Sequence, residues 1–444
     1  MATTQLTRTQ SAGNRKIYTF SAWIKRSKLG AYLNVFGTAS EGEALRFENT
    51  NTLTYFFNGS SSGLVRTTQV FRDPNAWYHI VVSVDTSQAT ASNRLKIYVN
   101  GSQITDFASE TYPSLNQENK INQSGQTFYL ANGHAETSGR TFDGVMAHVH
   151  FTDGTAYAAS AFGETDSTTG IWKPKSSPSV TYGTNGFFLK FANSGSMGTD
   201  SSGNGNNFTV AAGTLTQTQD TPSNVFATIN PNWKNYNDNP SFSNLNLTIS
   251  PTTTAYQNHF STLGVQGSGK WYAEMKCNGS SNSAMYYGIS SESELNYLET
   301  NSNVGGHTGT NSYMIAMSSG DKRSNNSNSS YGSGFSDGDI MMFALDLDNS
   351  KVYFGKNGTW FNSGDPAAGT NPAFSDVLTN SFYFFGGTAY TNGFTSVDYN
   401  FGNGYFGTTA VSSSNADGAG YGLFEYAPPT GYYSLCTKNI NTYG

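Results

Sequence analysis

Apolar and polar residues alternate with a period of two along most of this chain, and helical periodicity is almost absent. Phe20, Ala22 and Ile24 alternate with Ser21, Trp23 and Lys25. Ile80, Val82 and Val84 share one face of residues 79–85, and Leu95, Ile97 and Val99 share one face of residues 94–99. Ala147, Val149 and Phe151 are expected to point one way and His148 and His150 the other. Later, Trp271, Ala273, Met275 and Cys277 alternate with Tyr272, Glu274 and Lys276. Residues 340–347 are nearly all apolar, which predicts a central strand covered on both faces. Asn100-Gly101 and Asn357-Gly358 each follow a strand, and this dipeptide suits a two-residue hairpin because both turn positions need positive φ.

The two halves share one phrase. A strand ending in Asp, a reversal, and a Lys-apolar-Tyr-apolar strand ending in Asn-Gly occur as LKIYVNG in the first half and LDLDNSKVYFGKNG in the second. Little else repeats, so the halves are related in architecture without being tandem copies. The predicted fold is all-β: two antiparallel β-sandwich (jelly-roll-like) domains in series with an extended aromatic C-terminal tail. The expected limits are a first sandwich over 1–210, a linker over 211–221, a second sandwich over 222–410 and a tail over 411–444. Val225, Phe226, Ile229, Trp233 and Phe242 predict that the Asn/Ser/Thr-rich start of the second domain packs along it. Tyr421, Phe424, Tyr426, Tyr432 and Tyr433 surround Pro428-Pro429 and predict a tail docked through its rings.

Composition sharpens this picture. The 444 residues suggest two or three domains. Charged residues make up 12%, roughly half the usual share. A 14% aromatic content argues against disorder. Net charge is −6 and no Lys/Arg run is present, which argues against nucleic acid as partner. No apolar stretch is long enough to predict membrane insertion. The first sixteen residues lack the apolar core of a secretion leader, so synthesis in a cytoplasm is expected. With only Cys277 and Cys436, a disulfide framework is not expected.

FSAWIKR, WYHIVVSVD, LKIYVNG and FDGVMAHVHF, in that order, resemble laminin-G-like domains of the concanavalin A-type lectin/glucanase sandwich. One departure is informative. The FFLKF strand and the turn Asp200-Ser-Ser-Gly-Asn-Gly-Asn206, which often open such domains, come last here. The resemblance therefore implies an element supplied from the C-terminal side, in effect a circular permutation. SGKWYAEMKC, YYGIS, DGDIMMFALDLDNSKVYFGKNG and VDYNFGNG resemble SPRY domains. The order of the two modules, with the ending LCTKNINTYG, is similar to virion-associated proteins of marine tailed phages.

Glucanases on this sandwich carry E-x-D-x-x-E along one strand, with two facing carboxylates as nucleophile and acid/base. Glu41/Glu43, Asp337/Asp339 and Asp346/Asp348 have the i, i+2 spacing but no third acid, so no catalytic residue is assigned. His148 and His150 form H-x-H, which can share a metal but also reads as two polar histidines on a sheet face. The resemblance further implies calcium at a rim, with Asp85, Asn100, Asp143 and Asp153 as candidates that also read as turn formers. Gly402–Gly407 matches G-x-G-x-x-G without a strand-turn-helix context and reads as a turn. Trp360 and Tyr390 are the candidate rings for stacking on a sugar, or else loop anchors packed on a sheet edge.

The resemblance implies a non-enzymatic virion surface protein, either a tail fibre that binds receptor or a capsid decoration. Its sandwich loops would engage a host-surface glycan or other virion proteins, as a homo-oligomer for which a trimer is one form. The alternative is a glycan depolymerase on the same fold.

Overall fold

The computed structural model describes residues 4–39, 42–58, 63–133, 139–233, 235–237, 239–280, 285–307 and 309–444. The chain divides into two compact units, Met1–Gln217 and Thr218–Gly444. Among the described residues it is all-β with antiparallel sheets and two short helices, and no helix is long and apolar enough to cross a membrane.

The strands of the first unit, in chain order, are β1 (Gln5–Thr9), β2 (Ile17–Arg26), β3 (Leu33–Thr38), β4 (Ala44–Phe47), β5 (Thr52–Phe56), β6 (Leu64–Val70), β7 (Trp77–Asp85) and β8 (Leu95–Val99). They continue with β9 (Ser102–Gln103), β10 (Phe107–Thr111), β11 (Thr127–Leu130), β12 (Gly144–Asp153), β13 (Gly163–Thr165), β14 (Trp172–Pro174), β15 (Phe187–Leu189) and β16 (Thr209–Ala212). An eight-stranded sheet runs β10-β6-β5-β4-β3-β11-β1-β16, and a six-stranded sheet runs β15-β12-β2-β7-β8-β9. The alternating apolar sets meet between them: Phe20, Ile24, Val82 and Ile97 from one sheet pack with Leu45, Tyr55 and Phe128 from the other. Asn100 and Gly101 take φ of 48° and 87°, the conformation this hairpin requires.

The late elements sit at sheet edges. β15 lies beside β12, and β16 lies beside β1, so the strand over 209–212 runs two residues into the expected linker of 211–221. The Asp200 turn is knotted by its own side chain. Asp200 accepts from the amides of Phe188, Ser202 and Asn206 and from the Ser202 hydroxyl, all at 2.8–2.9 Å.

One alternation is broken. Ala147 lies opposite Trp23 and His150 opposite Ser21, so His148 and Val149 together face the single residue Ala22. This β-bulge puts His148 at φ 47°. Met146, Val149 and Phe151 therefore pack on the core and Ala147 does not.

The second unit continues with β17 (Ser241–Ser243), β18 (Thr248–Ser250), β19 (Gln257–Phe260), β20 (Lys270–Asn278), β21 (Tyr286–Ser291), α1 (Glu292–Leu298), β22 (Tyr313–Ala316), β23 (Lys322–Ser324) and β24 (Ser327–Ser329). Then come β25 (Ile340–Asp346), β26 (Lys351–Lys356), β27 (Thr359–Trp360), β28 (Tyr383–Ala389) and β29 (Ser396–Asn400). The chain ends with β30 (Tyr405–Phe406), β31 (Thr409–Ala410), β32 (Asn415–Ala416), β33 (Leu423–Phe424), β34 (Tyr433–Ser434) and α2 (Thr437–Tyr443). One sheet runs β17-β18-β29-β20-β25-β26-β27 and the other β19-β28-β21-β22-β23-β24. Trp271, Ala273, Met275 and Cys277 enter the core between them, as their spacing predicts.

The last residues are more than an extended tail. β29 leaves β20 after Asn400, and β34 takes the vacated place, pairing parallel with Trp271 and Tyr272. Phe424 and Tyr432 are buried against Tyr272, Met342 and Ala344, which is why β25 is apolar on both faces. Residues 411–444 are thus part of the second unit, and they end in a helix that period-two reasoning does not foresee.

Candidate functional site

The acidic pairs are occupied by the chain's own donors. Glu43 is buried and accepts from the amides of Lys120 (3.1 Å) and Ile121 (2.9 Å); burial raises its pKa against the pull of those amides. Glu41 lies outside the described residues. Asp337 accepts from the Gly279 amide at 2.6 Å, and Asp339 from the Ser336 amide and Asn357 Nδ2. Asp346 is buried and ion-paired with Lys270 at 3.0 Å, while Asp348 accepts from the Gly269 amide. These four aspartates tie down the turns at the two ends of β25.

The four calcium candidates are split between opposite ends of the six-stranded sheet. Asp85 and Asp153 flank the Ile17–Tyr18 end of β2, whereas Asn100 lies beside His79 and Asp143 beside the Arg26 end. Six residues of strand separate Asp85 from His79, about 20 Å. Each side chain also has donors. Asp85 accepts from Ser87 and Gln88; burial raises its pKa, but these donors outweigh it and the net shift is downward. Asn100 Oδ1 accepts from the His79 amide, and Asp143 from Ser27. Asp153 accepts from the amides of Asn14 and Asn185 and from the Asn122 side chain at 2.7–3.0 Å. A carboxylate facing N–H groups is oriented for donors and not for a cation. Among the described residues no group of three or more His, Cys, Asp or Glu is placed to hold a metal.

The histidines form a buried patch on the outer face of β2, β7 and β12. His150 stacks on Phe188 at 3.9 Å and bonds Tyr182 Oη at 2.9 Å; His79 bonds Ser21 Oγ and accepts from Trp172 Nε1, both at 2.9 Å. Burial lowers all three imidazole pKa values, that of His79 to about 3, and His148 adds repulsion to both neighbours. His148 Nδ1 and His150 Nε2 have no hydrogen-bond partner among the described residues.

Trp360 and Tyr390 act as anchors. Trp360 meets Tyr272 and Tyr353 edge-on at 6.3 and 6.5 Å under the C-terminal cover, and Tyr390 packs on the core and against Tyr256 at 5.9 Å. Gly402–Gly407 is a turn in which Asn400 Oδ1 accepts from the amides of Gly402 and Gly404. Cys277 and Cys436 are buried and unpaired, and burial pushes the Cys277 thiol up.

A second polar cluster lies on the eight-stranded sheet. Strand register aligns Asn34 (β3), Arg46 (β4), Thr54 (β5), Arg66 (β6) and Ser109 (β10) as one row across the outer face of the eight-stranded sheet, with Asn34 and Thr54 buried within it and Arg66 partly exposed. Neighbouring strands lie about 4.8 Å apart, so the row spans about 19 Å. Arg46 is held by Glu48 through two bonds of 3.0 and 3.2 Å, and its guanidinium lies over the rings of Phe56 (4.4 Å) and Tyr32 (5.0 Å). Arg140 also lies over Tyr32, at 5.4 Å, and Arg66 donates to Thr54 Oγ1 at 3.2 Å. Tyr32 is 38% exposed. Each residue alone reads as one polar position in a short strand, and the only sequence signal is the outward alternation of Arg46, Thr54 and Arg66.

Residues 2–161, a little over a third of the chain, match the laminin G family described as "Concanavalin A-like lectin/glucanases superfamily". This match contains the whole of the polar row. No curated protein matches the sequence. Among solved structures, the SPRY domain of human HERC1 is similar at 18% identity and a TM-score of 0.28, over 34% of this chain and 87% of that one. A putative carbohydrate binding protein from Bacteroides ovatus is similar at 16% identity and TM-score 0.32, over 48% of this chain and 56% of that one. A SAP-like pentraxin from Limulus polyphemus is similar at 15% identity and TM-score 0.27, over 35% of this chain and 71% of that one.

Proposed function

We infer that this chain is a non-enzymatic binding protein of a virion surface, and that its first sandwich binds a glycan. The observation that carries the reading is the partly exposed cluster of Tyr32, Arg46 and Arg66 on the outer sheet face, within the residues that match a lectin/glucanase family. A sugar is bound by a ring that stacks on it and fixed polar groups that meet its hydroxyls. Tyr32 supplies the ring, and Arg46 and Arg66 supply the fixed polar groups.

The virion setting is supported by the resemblance of the module order and of the ending LCTKNINTYG to phage virion proteins. In that setting the protein is a receptor-binding tail component or a decoration of the capsid, with host-surface glycan and other virion proteins as partners in a homo-oligomer. The second sandwich, whose outer face is covered by its own C-terminal residues, is the unit read as docking on the virion. The non-enzymatic reading is supported by the aspartates of the two described pairs, which are spent on turns and on Lys270.

Two measurements test this. Virions are imaged by cryo-electron microscopy with an antibody fragment against the chain, and the purified protein is applied to a glycan array while sugar release is followed. Label on the tail or head together with glycan binding and no release is the expected result. Reducing sugar released by the purified chain would return the depolymerase reading, and virions without label would overturn the virion role.

A further inference from the structure

We propose that the partly exposed arginine cluster around Tyr32, on the outer face of the eight-stranded sheet, is an anionic-saccharide site, with Tyr32 as the platform and Arg46, Arg66 and Arg140 as the anion anchors. The proposal rests on the glycan-binding reading and specifies the ligand's charge.

The argument begins with a local charge imbalance. The chain as a whole carries a net charge of −6. Among the described residues, Arg46, Arg66 and Arg140 have one carboxylate within ion-pair distance between them, that of Glu48, which is 3.0 Å from Arg46 and 3.9 Å from Arg66. Among the described residues Arg140 has no carboxylate within ion-pair distance. Arg46 and Arg140 both approach the Tyr32 ring, so two like charges face one another across a partly desolvated site. An unliganded protein bears that repulsion, and an anion between the two groups removes it.

The geometry is pre-set. Glu48 grips Arg46 in a fork, and Phe56 lies under the same guanidinium, so neither the charge nor the plane of Arg46 needs to be ordered on binding. Arg66 is steadied by Thr54 while its side chain remains 38% exposed. A planar guanidinium pairs with a carboxylate or sulfate oxygen in a fork, and a sugar ring stacks on Tyr32 beside it. Anionic groups repeated along a polysaccharide match a row of cations laid across strands better than a lone anion does.

The test uses the full chain and titration calorimetry with four probes: an oligouronate, a sulfated oligosaccharide, a neutral β-glucan oligosaccharide and polyglutamate. The oligouronate, the sulfated probe or both are expected to bind, with affinity falling as salt rises. Arg66→Gln and Arg140→Gln are each expected to weaken binding about tenfold, the loss of one charge-assisted contact. Tyr32→Ala is expected to weaken it as well. Lys173→Gln, at an ion pair with Asp166 beside the small β13-β14 ribbon, is expected to leave it unchanged. Comparing the two anionic sugars identifies carboxylate or sulfate as the recognised group. Melting curves check that each variant is folded. A neutral glycan bound equally by wild type and the arginine variants would overturn this proposal and leave the glycan reading standing. Polyglutamate bound as tightly as the sugars would overturn the saccharide assignment. No binding of any saccharide here or on the array would overturn both.

Discussion

Glu274 on β20 accepts the backbone N–H of Tyr426 at 2.8 Å, across 152 residues of chain. The same buried carboxylate accepts from the Glu425 amide and from Tyr272 Oη, each at 2.9 Å. Asp417 acts in the same way further along, accepting from the amides of Tyr421 and Ser434 and from Asn439 Nδ2 at 2.8–2.9 Å. The C-terminal residues are therefore held to the second sandwich by Glu274 and by the rings of Phe424 and Tyr432, while Asp417 ties their own turns together.

Replacing Glu274 by Ala is expected to release this cover. Two backbone amides and one hydroxyl lose their acceptor, and each orphaned buried donor costs about 1–3 kcal/mol. Hydrogen exchange should accelerate over residues 405–436 before it accelerates in β21 or β28. Equal protection of residues 405–436 in the variant and the wild type would count against the clamp.

The pH dependence of this clamp has a definite sign. Burial raises the Glu274 pKa to about 7, against the pull of the Tyr426 and Glu425 amides. A carboxyl whose folded pKa lies above its unfolded value contributes stability fully present below the unfolded value and lost as pH rises through the folded one. Between about pH 4.5 and 7, Glu274→Gln is expected to flatten the fall in stability of the second unit. An unchanged slope, measured by denaturant titration across that range, would show that Glu274 does not titrate there.

The first sandwich responds in the opposite direction. His79, His148 and His150 have pKa values lowered first by burial, with Lys190 and the neighbouring imidazoles adding repulsion. Groups lowered in the folded state contribute stability present above the unfolded value near 6.5, lost as pH falls toward the folded values. Acid from pH 6.5 to about 4.5 should therefore weaken the first unit. His150→Gln should remove part of that loss, as seen in melting curves followed by fluorescence of the Trp23 and Trp172 cluster stacked on His79.

Chelation is expected to change nothing. Asp85 and Asp153 lie far from Asn100 and Asp143, and all four already have donors. Melting temperatures with EDTA and with excess calcium should coincide. A rise of several degrees with calcium would reveal a site formed in another way.

Trp360→Ala is expected to cost about 1–3 kcal/mol, less than the 3–5 of a fully buried ring. The reason is its packing on Tyr272 and Tyr353. Glycan binding by the chain should not change. Lost binding with unchanged stability would make Trp360 a ligand residue after all.

The all-β class, the inward faces of β2, β7, β8 and β20, the doubly covered β25 and the Asn-Gly hairpins were legible from residue order, because strand period and turn conformation are local properties. The bulge at His148 was not, since a residue gains an extra opposite number only when a partner strand sets the register. The packing of Trp360 was not legible in sequence because the cluster it packs against includes Tyr272, almost ninety residues upstream, and Phe424 and Tyr432, more than sixty residues downstream. The row of Asn34, Arg46, Thr54 and Arg66 was invisible for the same reason: it runs across strands and not along them. Sequence by itself determined which faces are apolar, since burying them is the main driving force and depends on residue type and period alone. Tertiary structure alone decided which polar residues stand side by side, because that depends on register and on which distant segment covers each sheet.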